Sequence, residues 1–290
     1  MEARTCSGSS RPNLASEAPI GIFDSGIGGL TVAHAIARAL PAERLSYFGD
    51  TAHMPYGDRS PELVRSWSVR IAEHLLDQGC KAIVIACNSA SATAAGAVRD
   101  LAGSAVPVID VISPVVRTVA GQGHARIGVI GTRATIGSGI YGRTLRDALR
   151  ESGRDGVVEE WATPLLAPLI EEGWQDHTLM DPVLLSYLDA AGWTPGSAGA
   201  LDALIPGCTH YPLAMAALRR VLGEGVEVVD GPGIVAESVH MQLAEDGLLH
   251  RGPSAGDHRF SVSDLTPGFE RSATRFFGDG LDLAYDPLWA

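Results

Sequence analysis

The sequence predicts an α/β fold with mainly parallel sheets flanked by helices. From residue 19 onward, short apolar runs rich in Val and Ile alternate with amphipathic segments such as 61–78 and 213–222. Most of these runs are continuously apolar, as expected for strands that helices cover on both faces. Regular alternation of strand and helix is typical of parallel sheets. The candidate strands are 20–23, 45–48, 82–86, 106–111, 127–130, 203–205 and 226–229.

Two regions of the chain resemble each other, which indicates two similar domains. Each region contains a strand that ends in a small polar residue (at 24–25 and at 132) and a later strand that ends in a cysteine (87 and 208). The segments 110–114 and 230–233 are plausible crossing points between the two regions. We therefore predict a first domain from 19–113 with 231–290 and a second from 114–230. Residues 1–18 are rich in Ser and Pro, have no apolar centre, and are predicted to form a disordered tail.

Composition restricts the partners and the location of the protein. Of the 290 residues, 46% are apolar and 19% are charged, which is an ordinary soluble profile. No apolar run approaches the roughly 18 residues that a membrane span needs. The net charge of −12 argues against nucleic acid as a partner, although a local pocket can still bind an anionic small molecule. Four scattered cysteines are too few for a disulfide framework and indicate a reducing cytoplasm.

Cys87 is the first candidate for chemistry. It follows the apolar run 82–86 and precedes Asn88 and Ser89, a small polar opening to a helix. Open α/β sheets bind ligands beyond the carboxyl ends of their strands. Backbone N–H groups and the helix dipole at such a point favour thiolate over thiol and can hold a carboxylate. We predict a functional role for Cys87, and for Cys80, before the strand, the structural role of a small buried hydrophobe.

Cys208 is the second candidate, again at a strand end before a helix. His210, two residues further on, is placed to orient or assist the thiol. Cys-x-His also suggests a metal, but a closed zinc site needs four ligands at recognisable spacing. The sequence supplies no second pair of ligands, so no metal is predicted.

A glycine-rich turn after the first strand is the third candidate. Asp24 and Ser25 end that strand, and three glycines follow within 26–29. Their spacing fits neither the dinucleotide fingerprint nor the Walker loop. A tight strand-to-helix turn explains the glycines, while the carboxylate and hydroxyl at the strand end are expected to face a site.

Taken together, these segments resemble glutamate racemase, a member of the aspartate/glutamate racemase superfamily. The resemblance extends from about residue 19 to near the C-terminus and includes five motifs in the same order. The matching stretches are 23–30, 49–51 with 55–57, 86–92, 131–136 and 207–213.

The resemblance implies two α/β domains of similar topology with the active site in the cleft between them. It implies Cys87 and Cys208 as the catalytic pair, with Asp24 and His210 as their assistants. Glu171 resembles the carboxylate that pairs with the histidine, although Glu172 is adjacent. The implied substrate contacts are Asp24, Ser25, Pro55, Tyr56, Gly57, Asn88, Ser89, Thr132, Thr135, Thr209 and His210. The resemblance also implies D-glutamate for peptidoglycan as the product, and a homodimer.

Two thiols suit racemisation without a cofactor. The reaction removes a proton from one face of Cα and returns one to the other, so a two-base site needs one deprotonated and one protonated group. Cysteine, whose ordinary pKa is about 8.5, serves both purposes. The usual alternative, pyridoxal phosphate, forms a Schiff base with a lysine. Lys81 is the only lysine and precedes its strand instead of following it, so we predict that no cofactor is needed.

Three alternatives stay open on the sequence alone. The same scaffold and chemistry suit aspartate or another acidic substrate. A second alternative is a different cysteine enzyme, such as an isomerase, decarboxylase or hydrolase, but a single nucleophile needs no matching second cysteine. A third is a protein-binding or regulatory role, which the acidic surface permits but does not require.

Overall fold

The computed structural model describes residues 16–253, 256–278 and 281–289. The predicted disordered tail at 1–18 lies outside the described residues except for 16–18. The strands are β1 Ile20–Asp24, β2 Leu45–Gly49, β3 Ala82–Ile85, β4 Val108–Asp110, β5 Arg126–Gly131, β6 Val157–Ala162, β7 Ala203–Gly207, β8 Glu227–Val228, β9 Arg259–Val262 and β10 Leu283–Tyr285. The α-helices are α1 Leu30–Ala39, α2 Pro61–Asp77, α3 Asn88–Ala102, α4 Ser113–Gln122, α5 Arg133–Ser138, α6 Ile140–Glu151, α7 Leu166–Glu171, α8 Met180–Ala190, α9 Met215–Leu222, α10 Gly231–Glu245 and α11 Pro267–Phe277.

The strands form two sheets, and every strand pair in the described ranges is parallel. The larger sheet has the order β10-β9-β2-β1-β3-β4, and the smaller has the order β6-β5-β7-β8. Helices flank both sheets, which confirms the predicted fold class. The larger sheet draws its strands from both ends of the chain, and the smaller sheet draws its strands from the middle. The predicted domain limits at 113/114 and 230/231 stay a prediction.

Three strands, β6, β9 and β10, do not correspond to continuous apolar runs in the sequence. β6 is an edge strand whose sequence includes Glu159 and Glu160, and its residues are mostly exposed or half-buried. β9 alternates buried and more exposed residues, and β10 has only three residues. An edge or half-exposed strand buries one face only, so it does not read as an apolar run. These strands are therefore found from the fold and not from hydropathy.

Helix starts follow local capping chemistry. Ser60, Thr132, Asp230 and Thr266 each accept a hydrogen bond from the backbone N–H three residues ahead, and each begins a helix. Such caps satisfy N–H groups that have no partner inside the helix. Cys87 occupies the same position at the start of α3, with its sulfur as the acceptor. The fold therefore places a thiol where these four helices place an oxygen.

One apolar core runs through both sheets. Buried residues of the larger sheet, such as Ile22 and Val84, belong to the same packed cluster as Val129 and Leu204 of the smaller sheet. The two sheets are thereby held against each other along their helices. No helix in the described stretches of the chain is both long enough and apolar enough to cross a membrane.

Candidate active site

Cys87 lies between the end of β3 and the first turn of α3. Its side chain is 5% exposed, and its sulfur accepts a hydrogen bond from the Ala90 N–H at 3.5 Å. Burial and, less strongly, the charge of Asp24 raise the pKa of Cys87 to about 12, although hydrogen bonds from Ala90 and Ser25 oppose the change. The N–H groups at the helix end lower the pKa of Cys87, as expected, but desolvation outweighs them and the thiol is favoured.

Asp24 ends β1 and is completely buried. Its Oδ2 accepts hydrogen bonds from the backbone N–H groups of Gly26 at 3.1 Å and Gly29 at 3.0 Å. Its Oδ1 accepts none from the residues that the structure describes. Burial raises the pKa of Asp24, while the charge of His210 and the backbone N–H groups partly oppose it. A buried carboxylate oxygen that accepts no hydrogen bond is available to accept a proton.

Cys208 follows the carboxyl end of β7 and has an imidazole as its neighbour. The distance from Cys208 Sγ to His210 Nδ1 is 3.6 Å, and His210 Nε2 lies 2.8 Å from Glu171 Oε1. Burial alone lowers the pKa of His210, but hydrogen bonds and charges from Cys208 and Glu171 raise it well above its ordinary value. Glu171, at the end of α7, is thus the carboxylate that contacts the histidine, while Glu172 is exposed.

The glycine-rich turn lets the two sheets approach each other at the site. A Cβ at Gly28 would lie 2.4 Å from the His210 ring and 2.7 Å from the Thr209 hydroxyl. The Thr31 hydroxyl donates to the Thr209 carbonyl at 2.9 Å, which joins α1 to the loop after β7. The glycine at 28 is therefore required by close packing against the second cysteine's loop.

Three hydroxyl groups meet across the two sheets near Cys87. Ser89 Oγ lies 3.0 Å from Thr132 Oγ1 and 3.2 Å from Thr135 Oγ1, and the two threonine oxygens are 3.1 Å apart. A Cβ at Gly57 would lie 2.8 Å from Thr132 Cβ, so glycine is needed there as well. These hydroxyls can each donate or accept, which suits the binding of a carboxylate.

Two buried contacts involve residues to which the sequence analysis gave no role. Tyr141 on α6 donates its hydroxyl to Asn88 Oδ1 at 2.8 Å, across the two sheets. Asp50, after β2, accepts the Tyr56 hydroxyl at 2.6 Å. Asp50 belongs to a matched motif, but no local pattern identifies Tyr141, which is 53 positions from its partner.

Both cysteines line one enclosed cavity of about 40 Å³. Asp24 and Thr135 are not among its lining residues, although each contacts or electrostatically influences residues that are. Gly26, Met54 and Ala167 were not anticipated there. The expected site residues that line the cavity are Ser25, Pro55, Tyr56, Gly57, Cys87, Asn88, Ser89, Thr132, Glu171, Cys208, Thr209 and His210.

Lys81 lies at the opposite end of its strand from Cys87. Its Nζ is buried, pairs with Glu43 and donates to the Leu248 carbonyl at 2.9 Å. Burial lowers the pKa of Lys81, while Glu43 opposes the change. Across the residues that the structure describes, no group of three or more His, Cys, Asp or Glu side chains is arranged to hold a metal ion.

The site thus combines two buried thiols that follow strand ends of two parallel sheets. The family model for Asp/Glu/hydantoin racemases matches residues 20–239. The chain belongs to this family and is an isomerase of the amino-acid racemase class.

Individual relatives agree over almost the full chain. The glutamate racemase of Neisseria meningitidis serogroup A is 39% identical over 267 residues, which cover 92% of this chain and 95% of that protein. The glutamate racemase of Geobacter metallireducens is 40% identical with the same coverage. The crystal structure of Francisella tularensis glutamate racemase with D-glutamate has a TM-score of 0.86 and 33% identity, covering 94% of this chain and 99% of that one.

Proposed function

We propose that this protein is a glutamate racemase that interconverts L- and D-glutamate by proton transfer through Cys87 and Cys208. The observation that carries the proposal is that both thiols line one buried cavity and that each has a different proton acceptor beside it. The names of the relatives, and the D-glutamate in the Francisella structure, support glutamate as the substrate.

In the direction from L to D, Cys208 acts as the base. Its thiolate takes the α-proton of L-glutamate, and the Cys87 thiol gives its proton to the opposite face of the same carbon. Cys208 ends as a thiol and Cys87 as a thiolate, so the site is then set for the reverse reaction. This assignment agrees with the raised pKa of Cys87, which keeps that sulfur protonated before substrate binds.

Asp24 and the His210–Glu171 pair would reset the two thiols. Asp24 Oδ1, which accepts no hydrogen bond from the described residues, would take the Cys87 proton before D-glutamate is attacked. His210, held at Nε2 by Glu171, would do the same for Cys208 through Nδ1. A positioned acid or base of this kind contributes typically 10²–10⁴-fold to a rate.

The remaining lining groups would hold glutamate and exclude water. Hydroxyls of Ser25, Ser89 and Thr209, with the Asn88 amide, would bind the substrate carboxylates. Hydrogen-bond donors fixed in a site without water stabilise the negative charge that develops as the α-proton leaves.

Several broader features belong to the same proposal. We expect a cytoplasmic homodimer that needs no cofactor and supplies D-glutamate for peptidoglycan. We also expect the chain to divide into a first domain of 19–113 with 231–290 and a second domain of 114–230. The strand composition of the two sheets supports this division.

A racemisation assay on the purified protein tests the function. Without added cofactor, we expect L-glutamate and D-glutamate each to lose optical rotation until equal amounts are present. L- and D-aspartate serve as the comparison, and we expect kcat/KM for aspartate to be at least about tenfold lower, because a shorter side chain leaves polar groups of the site unpaired. Faster turnover of aspartate, or activity only with added pyridoxal phosphate, would overturn the proposal.

A further inference from the structure

Asp50 is a buried carboxylate that connects three distant segments of the chain. It is completely buried in the loop after β2. It accepts hydrogen bonds from two side chains of its own loop: the Tyr56 hydroxyl at 2.6 Å and His53 Nδ1 at 3.0 Å. It also accepts from Ser263 Oγ after β9 and from the indole Nε1 of Trp289, both at 2.8 Å. A charge taken out of water needs such partners.

Trp289 is the partner that comes from the end of the described chain. It lies beyond residues 20–239, the span of the family match. An indole N–H donates only, so this contact has a fixed direction. The Trp289 ring packs edge-on against the His53 ring, with 4.8 Å between the ring centroids. The His53 ring stacks on Trp67, with 4.3 Å between the centroids. The Trp67 ring in turn packs against the Tyr56 ring, with 5.4 Å between the ring centroids.

Tyr56 transmits this arrangement to the cavity. Its side chain is 1% exposed and lines the cavity together with Pro55 and Gly57. Its hydroxyl donates to Oδ2 of Asp50 at 2.6 Å, and Asp50 itself does not line the cavity. The orientation of this wall therefore depends on where Asp50 is held.

We propose that Asp50 and Trp289 are positioning residues for the substrate site. Trp289, Ser263 and His53 contact Oδ1 of Asp50, and His53 also contacts Oδ2. Together they hold the carboxylate with Oδ2 toward the Tyr56 hydroxyl, which fixes the wall formed by residues 55–57. Trp289 thus supports the racemase site, although it does not line the cavity that the two cysteines share. This inference rests on the proposed function.

The substitution Trp289→Phe removes the N–H but keeps an aromatic ring beside His53. Since the wall contacts bound substrate in the ground state and the transition state alike, its loosening should raise KM and leave kcat nearly unchanged. We expect KM for L-glutamate to rise about fivefold, the effect of losing about one ordinary hydrogen bond, with kcat within about twofold. Trp193→Phe is the matched control, because Trp193 is buried and its Nε1 has no partner among the described residues.

A second background separates positioning from general destabilisation. In Tyr56→Phe the bond to Asp50 is already absent, so adding Trp289→Phe should raise KM no further. Ser263→Ala, which removes a second donor to Oδ1 and leaves the His53 contact in place, should reproduce the rise in KM if Trp289→Phe folds poorly.

Three results would decide the matter. A KM of Trp289→Phe and Ser263→Ala equal to that of the wild type overturns the inference. The inference is also overturned if Trp289→Phe raises KM by the same factor in the Tyr56→Phe background as in the wild type. The effect of Trp289 would then not depend on Tyr56. If the wild-type protein does not racemise glutamate, the proposed function is overturned instead. The wild-type assay shows this before any variant is compared.

Discussion

The two cysteines occupy equivalent positions in different surroundings. Cys87 follows β3 of the larger sheet and begins α3, a regular α-helix, beside the carboxylate of Asp24. Cys208 follows β7 of the smaller sheet and precedes a short 3₁₀ turn at Tyr211–Ala214, beside an imidazole. The strand ends match, but the groups next to the sulfurs do not.

The contrast explains how one site can handle two mirror-image substrates. Placing a thiol on each side of one carbon requires matched positions, which the two parallel sheets provide. Moving protons on and off those thiols requires only a suitable acceptor on each side. A lone carboxylate and an imidazole–carboxylate pair can both do so. The pKa of each is raised, by burial for Asp24 and by Cys208 and Glu171 for His210.

The largest expected effect comes from removing either thiol. Cys87→Ala and Cys208→Ala should each lower racemisation of both enantiomers on the order of 10³-fold, because each direction needs one thiol as base and the other as acid. The double variant should lose little more, since the two residues act as a unit. The control is Cys80→Ala, which changes a buried cysteine of the core outside the cavity and should retain kcat. Substantial racemisation by either Cys87→Ala or Cys208→Ala would contradict the two-base mechanism.

The next largest effect distinguishes the two proton acceptors. Asp24→Asn should lower kcat mainly for D-glutamate and His210→Asn mainly for L-glutamate, each on the order of 10²-fold, because each assists a different base. At equilibrium the enantiomers are equally populated, so kcat/KM must fall equally in both directions and only the separate kcat and KM values can differ. Steady-state kinetics from both enantiomers measure this. An unchanged kcat in both directions, with only KM raised, would reassign the two residues to substrate binding.

A smaller effect tests the carboxylate behind the histidine. Glu171→Gln removes the charge that His210 Nε2 faces at 2.8 Å and should lower kcat about tenfold, as loss of a charge-assisted hydrogen bond does. Glu172→Gln is the adjacent control and should stay within about twofold, because that side chain is exposed. Equal losses from the two variants would show that the contact at Glu171 has no role of its own.

The smallest effect is the pH dependence of stability. His210 has a raised pKa in the folded protein, so its contribution to stability is full below its unfolded pKa of about 6.5. That contribution is lost as pH rises through the folded pKa. In urea denaturation, the stability difference between wild type and His210→Asn should therefore shrink from pH 6 to pH 9. A difference that grows with pH would mean that the histidine is neutral in the folded state.

Sequence reasoning found the features of the site that depend on local order. Cys87, Cys208 and Asp24 follow apolar runs, and strand ends can be read from hydropathy. It did not find Tyr141 or Trp289, because each acts on a residue far away in the chain. The helix end that lowers the pKa of Cys87 is visible in the sequence, but the depth of burial that outweighs it is not.

Deuterium transfer in D2O tests the two-base proposal most directly. Wild-type protein is given L-glutamate, and product and remaining substrate are examined by mass spectrometry early in the reaction; the experiment is repeated with D-glutamate. Because a thiol that has exchanged with solvent delivers its deuteron to the opposite face, the product should carry deuterium at Cα from the first turnover. The remaining substrate should keep its hydrogen. Product that retains the original hydrogen, passed from face to face by one group, would contradict the two-cysteine account.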